Sequence, residues 1–144
     1  MNKLRANRGF TLLEIIVVVA IIAILAAYIA PKVAGRVDDA RISKAKSDIR
    51  TLESALDFYK LDNFDYPSTA QGLDALVTKP SGGDLRNWRD GGYIKKLNKD
   101  PWGNDYRYAY PGSNGEFDVF SLGSDGAAGG ESEAADIGNW NLDS

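Results

Sequence analysis

Twenty residues near the C-terminus, Ser121 to Trp140, set four acids among glycines: Asp125, Glu131, Glu133 and Asp136. Carboxylates, hydroxyls and carbonyls on a chain that glycines allow to wrap are hard oxygen donors. Calcium takes about six to eight of these. The regular acid spacing of an EF-hand is absent, and no Gly-Lys-Ser/Thr comes after it to make a phosphate loop. On composition alone, a solvated acidic loop is slightly the stronger of the two readings.

A further acid stands in apolar surroundings. The run Phe10 to Ala30 is apolar apart from Thr11 and Glu14. At about 1.5 Å per residue, such a helix spans the roughly 30 Å hydrocarbon core of a bilayer. A charge there costs at least a few kcal/mol, about 3 on insertion scales, which marks Glu14 as a functional residue. Three readings stand on the residues. A secretory signal peptide accounts for the basic leader with Lys3, Arg5 and Arg8. The apolar run is long for that, however, and no two alanines between Ala20 and Ala45 sit two apart to form a cleavage site. A plain membrane anchor explains the length but not Glu14 or the sharp Gly9/Phe10 boundary. A special assembly segment is the third reading, and on the residues alone the anchor is the strongest of the three.

The sequence contains neither His nor Cys. Histidine bases, Ser-His-Asp triads, thiol nucleophiles, thiolate zinc sites and disulfides are thereby excluded. Net charge is −3 and becomes −6 once the three leader cations are removed, so nothing points to nucleic acid. Cations before the apolar run place the leader on the cytoplasmic side and send the C-terminal part outward.

The elements that must position these residues are set by periodicity. Ile42, Ala45, Ile49, Leu52, Leu56 and Tyr59 recur at steps of three and four, forming the apolar stripe of a helix that packs on a globular domain. Pro31 and Gly35 mark a weak point, but the stripe beyond them predicts that the helix continues to about Asp62-Asn63. Ser68 and Gln71 fit a capping box opening a short helix through Val77. Asp84 to Lys99 reads as loop, anchored by Trp88 and Tyr93. Asp100-Pro-Trp-Gly103 suits a type I turn. Tyr106, Tyr108 and Tyr110 alternate as on one face of a strand, and Phe117 to Leu122 reads as its hairpin partner.

Gly9-Phe-Thr-Leu-Leu-Glu14, with a basic leader before it and an apolar tail after it, resembles the prepilin signature of type IV pilins and type II secretion pseudopilins. The resemblance implies that a prepilin peptidase cuts between Gly9 and Phe10. It also implies that Phe10 is then N-methylated and that Glu14 is needed for filament assembly. Tyr66 to Leu76 and Asp100 to Asn104 are similar to the major pseudopilins in particular. So are Ser121-Leu-Gly-Ser-Asp-Gly126 and Ala135-Asp-Ile-Gly-Asn-Trp140, and the resemblance runs from Gly9 to Trp140. Many type IV pilins close a C-terminal loop with a cysteine pair, which this chain lacks.

The implied fold is α+β and pilin-like. A long N-terminal helix, its first half transmembrane, packs on a small antiparallel sheet with a Gly/acid-rich C-terminal loop. The expected segments are a cleaved leader at 1–9, a transmembrane or filament-core half-helix at 10–34 and a periplasmic globular domain at 35–144. The resemblance implies one bound calcium, with the Leu122 carbonyl and the Asp125 carboxylate as ligands. Its second aspartate would fall near Ser132, where Glu131 or Glu133 could substitute. Asp136 is either a ligand or an anchor of the chain end, and a bound cation is expected to pin Trp140 to the sheet.

The function implied is that of a structural subunit rather than an enzyme. It would be a major pseudopilin, polymerising with itself into a periplasmic filament that drives folded proteins across the outer membrane. Its partners would be the prepilin peptidase, minor pseudopilins and the inner-membrane assembly platform. The alternative is a type IV pilin of an adhesion or motility filament. A glycosidase using Asp125 and Glu133 is remote, since those acids lie in a glycine-rich tail without an evident cleft.

Overall fold

The structure, a computed structural model, describes residues 9–82 and 85–143, and gives the backbone alone at Val33 and Ala34. The leader expected at 1–9 therefore lies outside the described residues except for Gly9, as do Gly83 and Asp84. Helix α1 runs from Leu12 to Asn63, through Pro31. The chain divides into two compact units between Val37 and Asp38.

In the first unit, α1 leaves its apolar side chains exposed, from Leu12 to Ile29. One stretch of the helix is long and apolar enough to cross a membrane. The start is fixed locally. The Glu14 amide donates to the Thr11 hydroxyl (3.2 Å), and the Thr11 amide donates to the Glu14 carboxylate (3.3 Å). This reciprocal pair satisfies amides that a helix start otherwise leaves without partners. Near the far end of the apolar run, the Lys32 ammonium donates to the Tyr28 hydroxyl (3.0 Å), pairing a cation with an amphipathic ring of the kind that sits at membrane interfaces.

In the second unit, α1 buries Ala45, Ile49, Leu52, Ala55, Leu56 and Tyr59. These form one core with Tyr66, Leu73, Leu76, Tyr106, Phe117, Val119 and Ile137. The expected hairpin is present but short. Strand β1 is Arg107–Ala109 and β2 is Asp118–Ser121. They pair antiparallel, with Tyr108 opposite Val119. A third strand, β3 at Ile137–Gly138, pairs antiparallel with β2 and completes the order β1-β2-β3. Two residues carry no periodicity, so the sequence offers no strand signal there.

The turns between these elements are built from side-chain acceptors. The Ser68–Gln71 box forms, with the Ser68 amide donating to Gln71 Oε1 (2.8 Å) and the Gln71 amide to Ser68 Oγ (3.2 Å). The chain then makes a single 3₁₀ turn, Leu73–Leu76, entered through Gly72 at φ +61°, rather than an α-helix. Trp88 is the expected anchor, its indole N–H donating to the Ala75 carbonyl (2.9 Å). Buried Asp118 gathers the Ser113 amide (2.7 Å), the Asn114 amide and the Asn114 side-chain amide, closing the loop between β1 and β2. Beyond β1, the Thr69 hydroxyl accepts from the Tyr110 amide and donates to the Tyr110 carbonyl, each at 2.9 Å.

Candidate functional site

Two regions carry the residues singled out by the sequence. At the N-terminus, Gly9 and Phe10 are exposed, and a β-carbon added at Gly9 would meet nothing within 4 Å. Glu14, exposed four residues on, caps the start of α1 through Thr11. A Thr-x-x-Glu pattern is itself a capping signature, so this local role is legible in the sequence.

The second region is the loop 122–136. Its base is built by the turn before β1. Asp100, buried, accepts from the Trp102 amide (3.1 Å), the Asn104 amide (2.7 Å) and the Ser121 hydroxyl (2.6 Å). Its neck is closed by the Ser124 amide, which donates to the Glu133 carbonyl (2.8 Å). Gly123 is required there: φ is +67°, and a β-carbon would stand 2.5 Å from the same Glu133 carbonyl oxygen. A 3₁₀ turn at Ser132–Ala134 comes after the glycine pair Gly129-Gly130, with Ser132 itself at φ +57°.

The donors proposed from sequence are not gathered into one acidic cluster. Among the described residues, no group of three or more His, Cys, Asp or Glu is placed to hold a metal ion. Leu122 lines a polar cavity of about 230 Å³ with Asn104, Asp105, Arg107 and Gly126. Asp125 is exposed and one of its oxygens accepts from the Ala127 amide (3.0 Å). Glu131 and Ser132 lie at the exposed tip. Glu133 is turned away to α1. Its Oε1 accepts from the Arg41 guanidinium (3.3 Å) and the Trp102 indole N–H (3.2 Å). The Trp102 hydrogen bond, helped by Arg41, holds the Glu133 carboxyl below the usual carboxylate range. Asp38, alongside, is pushed up, first by desolvation and then by Glu133.

Asp136 behaves differently. One oxygen accepts from the Gly129 amide (2.9 Å), so the side chain turns back onto the loop. The other, Oδ1, is buried with no hydrogen-bond partner. Buried polar atoms are almost always satisfied, and a carboxylate oxygen shut away from both water and donors suits a cation. The oxygen chemistry of Leu122, Asp125 and Asp136 thus fits calcium, whereas Glu133 Oε1 already accepts two hydrogen bonds. No local pattern in the sequence marks Arg41 and Trp102 as neighbours of this loop. Arg41 reads as a solvated cation off the apolar stripe, and Trp102 as part of a turn.

Comparison with known proteins now bears on both regions. Residues 32–140 match the family model of type II secretion system (T2SS) protein G, and residues 4–30 match the prokaryotic N-terminal methylation motif. The chain is 58% identical over 142 residues to the type II secretion system core protein G of Vibrio cholerae, covering 99% of this chain and 97% of that one. It is 57% identical to the protein of the same name from Pseudomonas aeruginosa, covering 94% and 96% respectively. Among solved structures, it is similar to the major pseudopilin of the type 2 secretion system of enterohaemorrhagic Escherichia coli. The TM-score is 0.65 at 49% identity, covering 74% of this chain and 92% of that chain. These relatives favour secretion over a pilin of adhesion or motility. With its long helix, three-stranded antiparallel sheet and methylation motif, the chain belongs to the type II secretion protein G family, the major pseudopilins.

Proposed function

We propose that this chain is made as an inner-membrane precursor, single-pass, with its C-terminal domain in the periplasm. A prepilin peptidase cuts it after Gly9, and Phe10 is N-methylated. It then polymerises with itself, under minor pseudopilins and an inner-membrane assembly platform, into the periplasmic filament that drives folded proteins through the outer membrane. The observation that carries this is the exposed apolar surface of α1 from Leu12 to Ile29, which the described residues of its own unit leave uncovered. Such a surface needs lipid before assembly and neighbouring copies after it. The chain is a structural subunit, and the bond-breaking steps belong to its partners.

Glu14 takes two roles in this scheme. In the single chain it caps α1. In the filament its charge is balanced by the amine of a neighbour's Phe10, because burial of an uncompensated carboxylate is costly. Calcium is the expected staple of the C-terminal loop. The Leu122 carbonyl, Asp125 and Asp136 would hold it, with Glu131 and Ser132 within reach at the tip. It would supply a fixed positive charge that orders a segment too poor in apolar residues to order itself.

Mass spectrometry of the protein extracted from membranes tests the processing. The mature chain should begin at methylated Phe10, and Gly9→Val should leave the precursor uncut. A mature chain beginning beyond Ala30 would point to ordinary signal-peptide cleavage instead.

A further inference from the structure

We propose that Arg41 and Glu133 form a charge latch that clamps the acid- and glycine-rich loop onto α1. In this arrangement Glu133 positions the loop and does not ligate its cation. The latch rests on geometry alone, and its effect on calcium rests on the calcium reading above.

Three elements converge on the Glu133 carboxylate. The Arg41 guanidinium comes from α1, 92 residues away in sequence. The Trp102 indole comes from the turn that Asp100 ties to Ser121 at the loop's base. Glu133 itself closes the loop's neck through its carbonyl, which accepts from Ser124. One residue therefore ties the loop to itself by its backbone and to the helix by its side chain. Arg41 Nη1 is also 3.8 Å from Asp38, whose carboxyl is in hydrogen-bond contact with Glu133, so one guanidinium serves two adjoining carboxylates. A calcium ion on Glu133 Oε1 would sit against that guanidinium, and the two cations would repel. The oxygen left without a partner belongs to Asp136, three residues further along the same arm. The sequence-level choice among Glu131, Ser132 and Glu133 as ligands thus resolves against Glu133.

The latch and a direct ligand make opposite demands on Arg41. A ligand at 133 needs no arginine at 41. A latch loses as much from removing either partner, and removing both costs little more than removing one. The test uses the full-length chain in detergent micelles, with calcium chloride as titrant in calorimetry and with melting curves recorded in EDTA. Arg41→Ala and Glu133→Gln should each weaken calcium binding about three- to tenfold, and the double variant no more than the worse single. Arg41→Lys should stay within about twofold of the unmutated chain, since it keeps the charge. In EDTA, each single variant should melt earlier, and the double variant no earlier than the worse single.

Loss of all measurable binding in Glu133→Gln, with Arg41→Ala binding as the unmutated chain does, would make Glu133 a ligand and overturn the proposal. So would single losses that simply add in the double variant. If the unmutated chain binds no calcium, the calcium reading fails, and the melting cycle in EDTA still decides the latch.

Discussion

The Tyr106 hydroxyl donates to the Asp48 carboxylate across 3.0 Å, tying the residue before β1 to α1. The same carboxylate oxygen accepts from Lys44 at 2.7 Å. Burial pushes the Tyr106 phenol well above its ordinary range, and the hydrogen bond to Asp48 adds to the shift. Tyr66, bonded to Asp57 at 2.9 Å, and Tyr108, bonded to the Pro67 carbonyl at 2.7 Å, are shifted the same way, with burial again the largest cause. An unfolded tyrosine ionises near pH 10. Between that pH and the higher folded values, the unfolded chain has released protons that the native state retains, so stability falls as pH rises. Melting temperature measured from pH 7 upward should decline steeply above about pH 10. Tyr106→Phe should flatten part of that decline. An unchanged melting temperature to about pH 11 would contradict it.

Asp118 is the hub of the loop between β1 and β2. Asp118→Ala removes the acceptor for two amides and the Asn114 side chain. Ser113 and Asn114 are exposed, so water can take up their freed donors, and the loss expected in urea unfolding is that of hydrogen bonds to a charged group, about 1.5–3 kcal/mol. Asp118→Asn, which keeps one acceptor oxygen, should lose less. Equal losses would mean that the hydrogen bonds are not what Asp118 contributes.

The core stripe of α1 gives the simplest packing test. Leu56 is fully buried against the globular unit. Leu56→Ala should cost about 2–5 kcal/mol through lost burial and a residual cavity. Leu61, exposed two positions past Tyr59, should tolerate alanine within about 0.5 kcal/mol.

At the N-terminus, Thr11 separates the two roles of Glu14. Thr11→Val removes the hydroxyl that accepts from the Glu14 amide, at a cost of about 1 kcal/mol in helix start. It should leave assembly largely intact. Glu14→Ala should be inserted and cut normally but fail to give filaments in electron micrographs. Normal filaments from Glu14→Ala would remove the intersubunit charge pair from the scheme.

Gly123→Ala probes the loop's neck. Its positive φ and its closeness to Glu133 leave no room for a methyl group. Calcium should raise the melting temperature of the unmutated chain relative to EDTA, and this gap should shrink or vanish in the variant. Equal melting curves for the unmutated chain in calcium and in EDTA would leave the segment a plain acidic loop.

The physical reach of each signal decides what can be read in advance. The apolar run, the stripe through Ala45, Ile49, Leu52, Leu56 and Tyr59 and the Ser68–Gln71 box are all local patterns, and the structure contains each of them. The aromatic alternation of Tyr106, Tyr108 and Tyr110 marks the right segment, but only Arg107–Ala109 is strand. Thr69 takes the backbone groups of Tyr110, and the ladder stops there. The expected short helix is only a 3₁₀ turn because Gly72 breaks away at φ +61° right after the box. Contacts between distant positions lie beyond any local pattern. Nothing around Arg41 points to Glu133, and β3 exists only because β2 offers it an edge. Trp140 touches Phe120 of β2, ring centroids 5.6 Å apart and planes tilted by 56°, and stays 40% exposed.

The doubly bonded Thr69 has a consequence for how copies meet. A sheet that ends in free amides and carbonyls is a template on which another chain can pair. By occupying both backbone groups of Tyr110, a single hydroxyl shortens the open border of β1, and with it the chance of stray lateral pairing. Copies crowded in one membrane then have less opportunity to stick sideways through their sheets. The exposed apolar side chains of α1 from Leu12 to Ile29 then remain the larger surface through which copies can meet.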